Sequence, residues 1–233
     1  MLHIENENIK PLLPFFTSYL KKGLRTVIEG KTKFDGTVKE KYAHDICARI
    51  NQIDNSLQSL ALCLEYLKKS KFDESDYNFS IHHTFHIENY LLRLTSVVDR
   101  CYLVAGTSIL LKEKSIEKIG GNKKITNKLK LYSIESVKIL KNISGVVKPL
   151  RKMRNEVAHK AGYSNKNLDM LGFIIDLDNR ELENKFESIM SIDDLKFVII
   201  KDTIDLFQPP LRELHILVDE LILSLSFIYQ SII

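Results

Sequence analysis

Apolar residues recur along Ile46, Ile50, Ile53, Leu57, Leu60, Leu64 and Leu67 at alternating steps of four and three. A stripe of this period, held over three heptads, predicts a long helix over about Asp45–Lys69 with one face against a bundle core. A second stripe, Ile87, Leu91, Leu94, Val98, Cys101 and Ala105, predicts another long helix beginning after Ser80, a residue suited to an N-cap. Gly106 weakens its end, and Ile109–Leu111 extend the apolar pattern. Shorter helices are expected over Pro11–Ile28, Ser133–Ser144, Pro149–Lys160 and Asp194–Phe207. Pro209-Pro210 should break the last of these, with Leu211–Ile232 resuming as a terminal helix.

Two stretches lack a clear period. Lys112–Lys130, with Gly120-Gly121-Asn122 and many lysines, reads as an exposed connection carrying at most a short helical piece. Residues 161–181 are irregular, and Phe173–Leu177 fits either a short strand or an apolar anchor in a loop. Strand signals are otherwise nearly absent. The expected fold is all-α: an antiparallel helical bundle of five or more helices with extra terminal helices, in a single domain over residues 1–233.

Composition narrows the setting. Three widely spaced cysteines, Cys47, Cys63 and Cys101, form no Cys-x-x-Cys pair and sit among apolar residues, which suits small buried hydrophobes in a reducing cytoplasm. The start of the chain lacks a basic region followed by an apolar run, so no secretory signal is expected. The apolar Ile216–Ile233 stretch carries Asp219 and Glu220, and 13 residues follow Glu220, short of the ~20 a bilayer requires. A core or subunit-packing helix is the expectation there, with no membrane partner.

Charge is unevenly spread. Residues 112–166 hold 15 Lys/Arg and 4 Asp/Glu, a balance of +11, whereas the remainder balances to −7. Such a block favours a polyanionic partner. A solvated lysine-rich surface is the plainer alternative.

Inside that block lies Arg154-Asn155-Glu156-Val157-Ala158-His159. At ~100° per residue, with Arg154 at zero, Arg151, Asn155, His159 and Lys152 fall between ~60° and ~160°. Leu150, Met153, Val157 and Ala161 fall together at ~260–340°. The helix therefore presents an Arg/Asn/His/Lys crescent opposite one buried stripe. Arginine holds charge on phosphate oxygens and histidine moves a proton near neutral pH, so the pair has the chemistry to act on a phosphodiester. Asn155 and His159 are four apart, which allows the amide to fix the imidazole tautomer. Cations at a helix C-terminus also meet the helix dipole favourably, and that alone accounts for His159 and Lys160.

Arg154-Asn155-x-x-x-His159 near a helix end, in an all-helical chain whose preceding long helix contains Glu88–Arg100, resembles the HEPN superfamily. The resemblance covers about residues 40–165, completed by helices in 182–233. It implies a HEPN-like bundle and a metal-independent endoribonuclease that works as a homodimer, with toxin, anti-phage defence and RNA-processing roles in the family; some members only bind. Carried over, His159 is the general base or acid, Arg154 stabilises the phosphorane, and Asn155 orients His159 or the phosphate. Glu88, Arg93 and Asp99 would support the site, and Lys148, Arg151, Lys152 and Lys160 would bind RNA. An antitoxin or other regulatory partner is implied; no cofactor is. Members modified by a nucleotidyltransferase carry a Tyr two residues after the His. Here Ala161 stands there and Tyr163 is the nearest Tyr, so that mode of regulation is not expected. The remaining readings are a non-catalytic HEPN-like nucleic-acid-binding or assembly module, and a bundle that binds only proteins.

Glu88, Leu92, Thr95 and Asp99 share one face at steps of 4, 3 and 4. His82 and His86, with His83 between them, have the spacing of a two-His metal site. No third ligand is evident, so no metal is expected and these histidines read as surface residues. Gly120-Gly121 lacks the Lys-Ser/Thr of a phosphate-cradling loop.

Overall fold

Every position of the Ile46–Leu67 stripe is at most 5% exposed in the computed structural model, which describes residues 2–160, 162–176 and 180–233. The helices are α1 (Leu13–Ile28), α2 (Val38–Leu67), α3 (Phe79–Ser108), α4 (Glu113–Ile116), α5 (Gly121–Leu129), α6 (Ile134–Val147), α7 (Arg151–His159), α8 (Lys166–Asp176), α9 (Arg180–Glu187) and α10 (Ile192–Ile232). Short 3₁₀ turns cover His3–Glu5, Glu7–Leu12 and Lys148–Leu150. No strand occurs among the described residues, and the fold is an all-α helical bundle. Each buried Leu or Ile of the seam contributes about 1.5–3 kcal/mol, which is why the heptad pattern dominates the architecture.

Helix starts are set by local chemistry. Thr37 and Glu40 form a reciprocal cap at α2: the Glu40 amide donates to Thr37 Oγ1 at 3.2 Å, and the Thr37 amide donates to Glu40 Oε2 at 2.7 Å. Glu40 also accepts from Lys22 Nζ and Ser18 Oγ, and these donors hold its pKa down at about 2. At α3 the cap is Asn78, whose Oδ1 accepts from the Ile81 amide at 3.1 Å. Ser80, the cap expected from the sequence, is instead buried inside the first turn with its hydroxyl unpartnered. Ser133 Oγ caps α6, accepting from the Ser136 amide. Asn165 Oδ1 caps α8 through the Asn167 and Leu168 amides.

Three other expectations are corrected. The segment Phe173–Asp176, expected as a strand or a loop anchor, is the last part of helix α8: Leu168, Leu171 and Ile174 recur at helical spacing and are buried. Leu177 lies outside the described residues. The Lys112–Lys130 connection contains α4 and α5, anchored by buried Ile116, Ile125 and Leu129. α10 runs unbroken through Pro209 and Pro210. Each internal proline removes a helical hydrogen bond at about 3 kcal/mol. Phe207 just upstream is fully buried, stacks on Tyr90 at 4.6 Å, and its carbonyl accepts from the Tyr90 hydroxyl at 2.7 Å. Tertiary burial thus holds the helix where local propensity would end it.

By contact the chain sorts into two compact units. The first comprises residues up to Ser56, Ser96–Val146 and Leu214–Ile233. Its N-terminal turn is fastened to α2 by buried Asp54, which accepts from the His3 and Ile4 amides at 2.9 and 3.0 Å. The buried His3 ring bridges Asp219 Oδ1 and His215 Nδ1 on α10. Arg49 donates to Glu113 and Glu117, tying α4 to α2. In the same unit Gly106 lets α5 approach α3, since a Cβ there would meet Ile125 at 3.0 Å. The second unit comprises Leu57–Thr95 and Val147–Glu213, and it contains the Arg154–His159 helix. Part of its core is Phe79, Leu168, Leu171, Leu195 and Ile199, with Tyr163 packed against it.

Cys47, Cys63 and Cys101 are buried free thiols, and burial pushes Cys47 and Cys101 up to about 12. That leaves them protonated and inert. Among the described residues no helix is long and apolar enough to cross a membrane.

Candidate functional site

α7 follows directly on the 3₁₀ turn Lys148–Leu150, so Pro149 sits in that turn rather than in the α-helix itself. Leu150 is buried and Met153 and Val157 are half-buried, forming the expected inward stripe; Ala161 lies outside the described residues. Arg151, Lys152, Asn155, His159 and Lys160 are exposed, as is Lys148. The polar crescent read from the spacing is therefore a solvent-facing surface.

Arg154 differs from its neighbours. It is half-buried, its Nε is enclosed without a hydrogen-bond partner, and its Nη1 donates to Asn155 Oδ1 at 3.1 Å. The guanidinium is held by Asn155 at its outer edge. This corrects the expected Asn155–His159 pairing, because the amide oxygen serves the arginine. His159 has no hydrogen-bond partner among the described residues and closes the last turn of α7. Arg154 and His159 are separated by about 7.5 Å along the helix axis.

The chain after His159 is fixed from α3. Lys160 leaves helical geometry while its amide still bonds the Glu156 carbonyl at 2.9 Å. Gly162 then adopts φ +96°, and the Tyr163 amide donates to Glu88 Oε1 at 2.8 Å. A Cβ on Gly162 would lie 2.7 Å from that same oxygen. Glu88, read from the sequence as a supporting residue, thus supports the segment just beyond the motif rather than the motif side chains. The Gly162→Ala substitution is expected to destabilise the fold by about 1–3 kcal/mol through its left-handed backbone and the clash with Glu88. Glu88→Ala should partly relieve that loss in the double variant, which chemical denaturation of the three proteins would reveal.

Arg93 is exposed on α3 near buried Cys63. Asp99 belongs to the first unit, where it accepts from Asn122 Nδ2 at 3.1 Å. The basic block is also divided: residues 112–146 fall in the first unit and 147–166 in the second. The second unit's share of the block, residues 147–166, is six Lys/Arg against Glu156 alone.

The histidine cluster is not the surface group expected. His83 is fully buried, stacked on Phe79 at 4.9 Å, with Nε2 3.0 Å from Thr203 Oγ1. His82 stacks on Phe72 at 3.9 Å and meets Ser75 Oγ at 2.7 Å; His86 stacks on Tyr66 at 4.6 Å. Burial and then its His82 and Lys69 neighbours lower the His86 pKa. The rings serve packing, and among the described residues no group of three His, Cys, Asp or Glu is arranged to hold a metal ion. Sequence reasoning missed the roles of Asn78, His83 and Tyr163. Only Asn78 left a local signal, an Asn three residues before Ile81 at a helix start.

A family model described as Cthe2314-like HEPN matches residues 33–221. No curated protein and no solved structure is significantly similar to the chain.

Proposed function

Since the chain belongs to the Cthe2314-like HEPN family, we propose that it is a metal-independent endoribonuclease acting through Arg154 and His159. The observation that carries this reading is the arginine held by Asn155 at 3.1 Å, on the same short helix as an exposed, unpaired histidine. His159 takes the proton of a ribose 2′-hydroxyl, whose oxygen attacks the adjacent phosphorus. Negative charge gathers on the non-bridging oxygens, where the Arg154 guanidinium stabilises it. The bond to the 5′-oxygen breaks, and that oxygen receives a proton. The products are a 2′,3′-cyclic phosphate and a 5′-hydroxyl. Lys148, Arg151, Lys152 and Lys160 hold the flanking phosphates, so binding weakens steeply with salt. A homodimer supplies a second motif and hence a separate acid and base.

The test is cleavage of a labelled RNA in excess EDTA, with end-group analysis. Undiminished cleavage and cyclic-phosphate ends are expected. Activity that needs added metal, or 3′-hydroxyl ends, refutes the mechanism. Salt-dependent RNA binding without any cleavage would instead identify a non-catalytic binding module. As a toxin or defence effector working in the cytoplasm, the protein should slow growth when expressed, and His159→Ala should relieve the effect.

A further inference from the structure

In the second unit α3 and α8 flank a groove of about 390 Å³, within the range of small-ligand sites. Ser80, Thr84 and Glu88 line it at steps of four along α3, and Asp169 and Gly172 line it from α8. Its α3 wall also carries apolar Ile81 and Phe85, which are 50% and 59% exposed. Gly172 leaves the space beside Ser80 open, since a Cβ there would sit 3.6 Å from the serine. Among the described residues no Lys or Arg lines the groove.

Two of its polar groups await a partner. The Ser80 hydroxyl is buried without one. Glu88 gives Oε1 to the Tyr163 amide at 2.8 Å, and its Oε2 has no hydrogen-bond partner among the described residues. A buried hydroxyl without a partner calls for an explanation, and a polar occupant supplies one. The groove also adjoins the motif. Tyr163 comes four residues after His159, a stretch of at most ~14 Å, so the Glu88 end lies beside the motif helix.

Two carboxylates and no cation make the groove hostile to phosphate. They favour an uncharged ring that offers N–H donors. We propose that the groove takes a guanine base of single-stranded RNA, held beside the phosphodiester on which Arg154 and His159 act; this rests on that reading of the motif. The N1–H and N2–H groups of guanine both donate to the Glu88 carboxylate. Ser80 lies ~12 Å from Glu88 along α3, and helical side chains lean back toward the N-terminus, so a purine bridges the two. The Ser80 hydroxyl then donates to N7. A pyrimidine is too short for both contacts, and adenine turns the N1 lone pair toward the carboxylate. Phe85 supplies an exposed aromatic ring for stacking, as in other single-strand RNA sites.

The His159→Ala protein keeps the groove and spares the probe from cleavage. Fluorescence anisotropy should measure its affinity for labelled oligouridylates with one central guanine, adenine, inosine or 7-deazaguanine. Guanine should bind about tenfold tighter than adenine. Inosine lacks the N2 amine and 7-deazaguanine lacks N7, so both should fall between. Adding Ser80→Ala should erase only the difference between guanine and 7-deazaguanine. Adding Glu88→Gln keeps an oxygen for the Tyr163 amide but turns a donor toward the base, and the preference for guanine over adenine should vanish. Gly172→Leu fills the groove while replacing a helix-interior glycine, so the protein should fold at least as well and bind all four probes alike. Equal affinity for the four probes without any groove change overturns the proposal, as does a Gly172→Leu protein that keeps the preference. Guanine preference in a chain whose parent cuts no RNA upholds the groove and sinks the catalytic reading. Cleavage in EDTA with no base preference does the reverse.

Discussion

Replacing His159 with alanine is expected to slow RNA cleavage by about 10²–10⁴-fold, the range by which a positioned proton-transfer group accelerates such a step. Arg154→Ala should cost about 10²–10³-fold, the scale for losing one preorganised donor to transition-state charge. Arg154→Lys should rescue little. An ammonium is a point charge, whereas the guanidinium donates to Asn155 through Nη1 and has further donors for phosphate. Asn155→Ala should have the smaller effect of a lost orienting contact. The double Arg154→Ala/His159→Ala variant should be scarcely slower than the worse single one, because groups acting on one transition state are not additive. Single-turnover cleavage in EDTA reads all of these. His159 is exposed and unpaired, so its removal leaves the fold intact and a lost rate reports chemistry. An His159→Ala protein that cuts at the parent rate sinks the assignment.

How far the sequence foretells this site depends on the range of the interactions involved. The Ile46–Leu67 stripe and the crescent on α7 follow from helical period alone, and both are present. The Glu88–Tyr163 contact joins residues 75 apart, which no local pattern encodes. Pro209-Pro210 misleads for the same reason, since the Tyr90 and Phe207 contacts that carry α10 through them are tertiary. Ser80 and Asn78 are both good caps two residues apart. Burial of Phe79 and Ser80 turns Asn78 into the cap. α8 is hard to read because Phe173 and Met170 are exposed apolar residues that blur its amphipathic stripe. The split of the +11 block between two units is likewise a property of the chain's long-range contacts.

The second large effect concerns acid stability of the unit that carries the motif. Thr203 Oγ1 donates its one proton to the Ile199 carbonyl at 2.8 Å, so it accepts from His83. His83 is therefore the neutral Nε2–H tautomer, and its buried Nδ1 faces no hydrogen-bond partner. Protonation would place a charge and an unsatisfied N–H in the core; burial, with His86 nearby, lowers the pKa to about 4. In the unfolded chain the ring titrates near its ordinary 6.5. Between those values the unfolded state binds the extra proton, so stability is full above pH 6.5 and falls as pH drops toward 4, by about 3 kcal/mol in all. Glu40, held at about 2, loses its contribution lower, as pH falls from 4.5. His83→Gln keeps a donor for Thr203 and does not titrate. Its urea midpoint should therefore change much less between pH 6.5 and 4 than the parent's, with His86, and His215 in the other unit, supplying the residual slope. Equal slopes in parent and variant would show that His83 is not the group responsible.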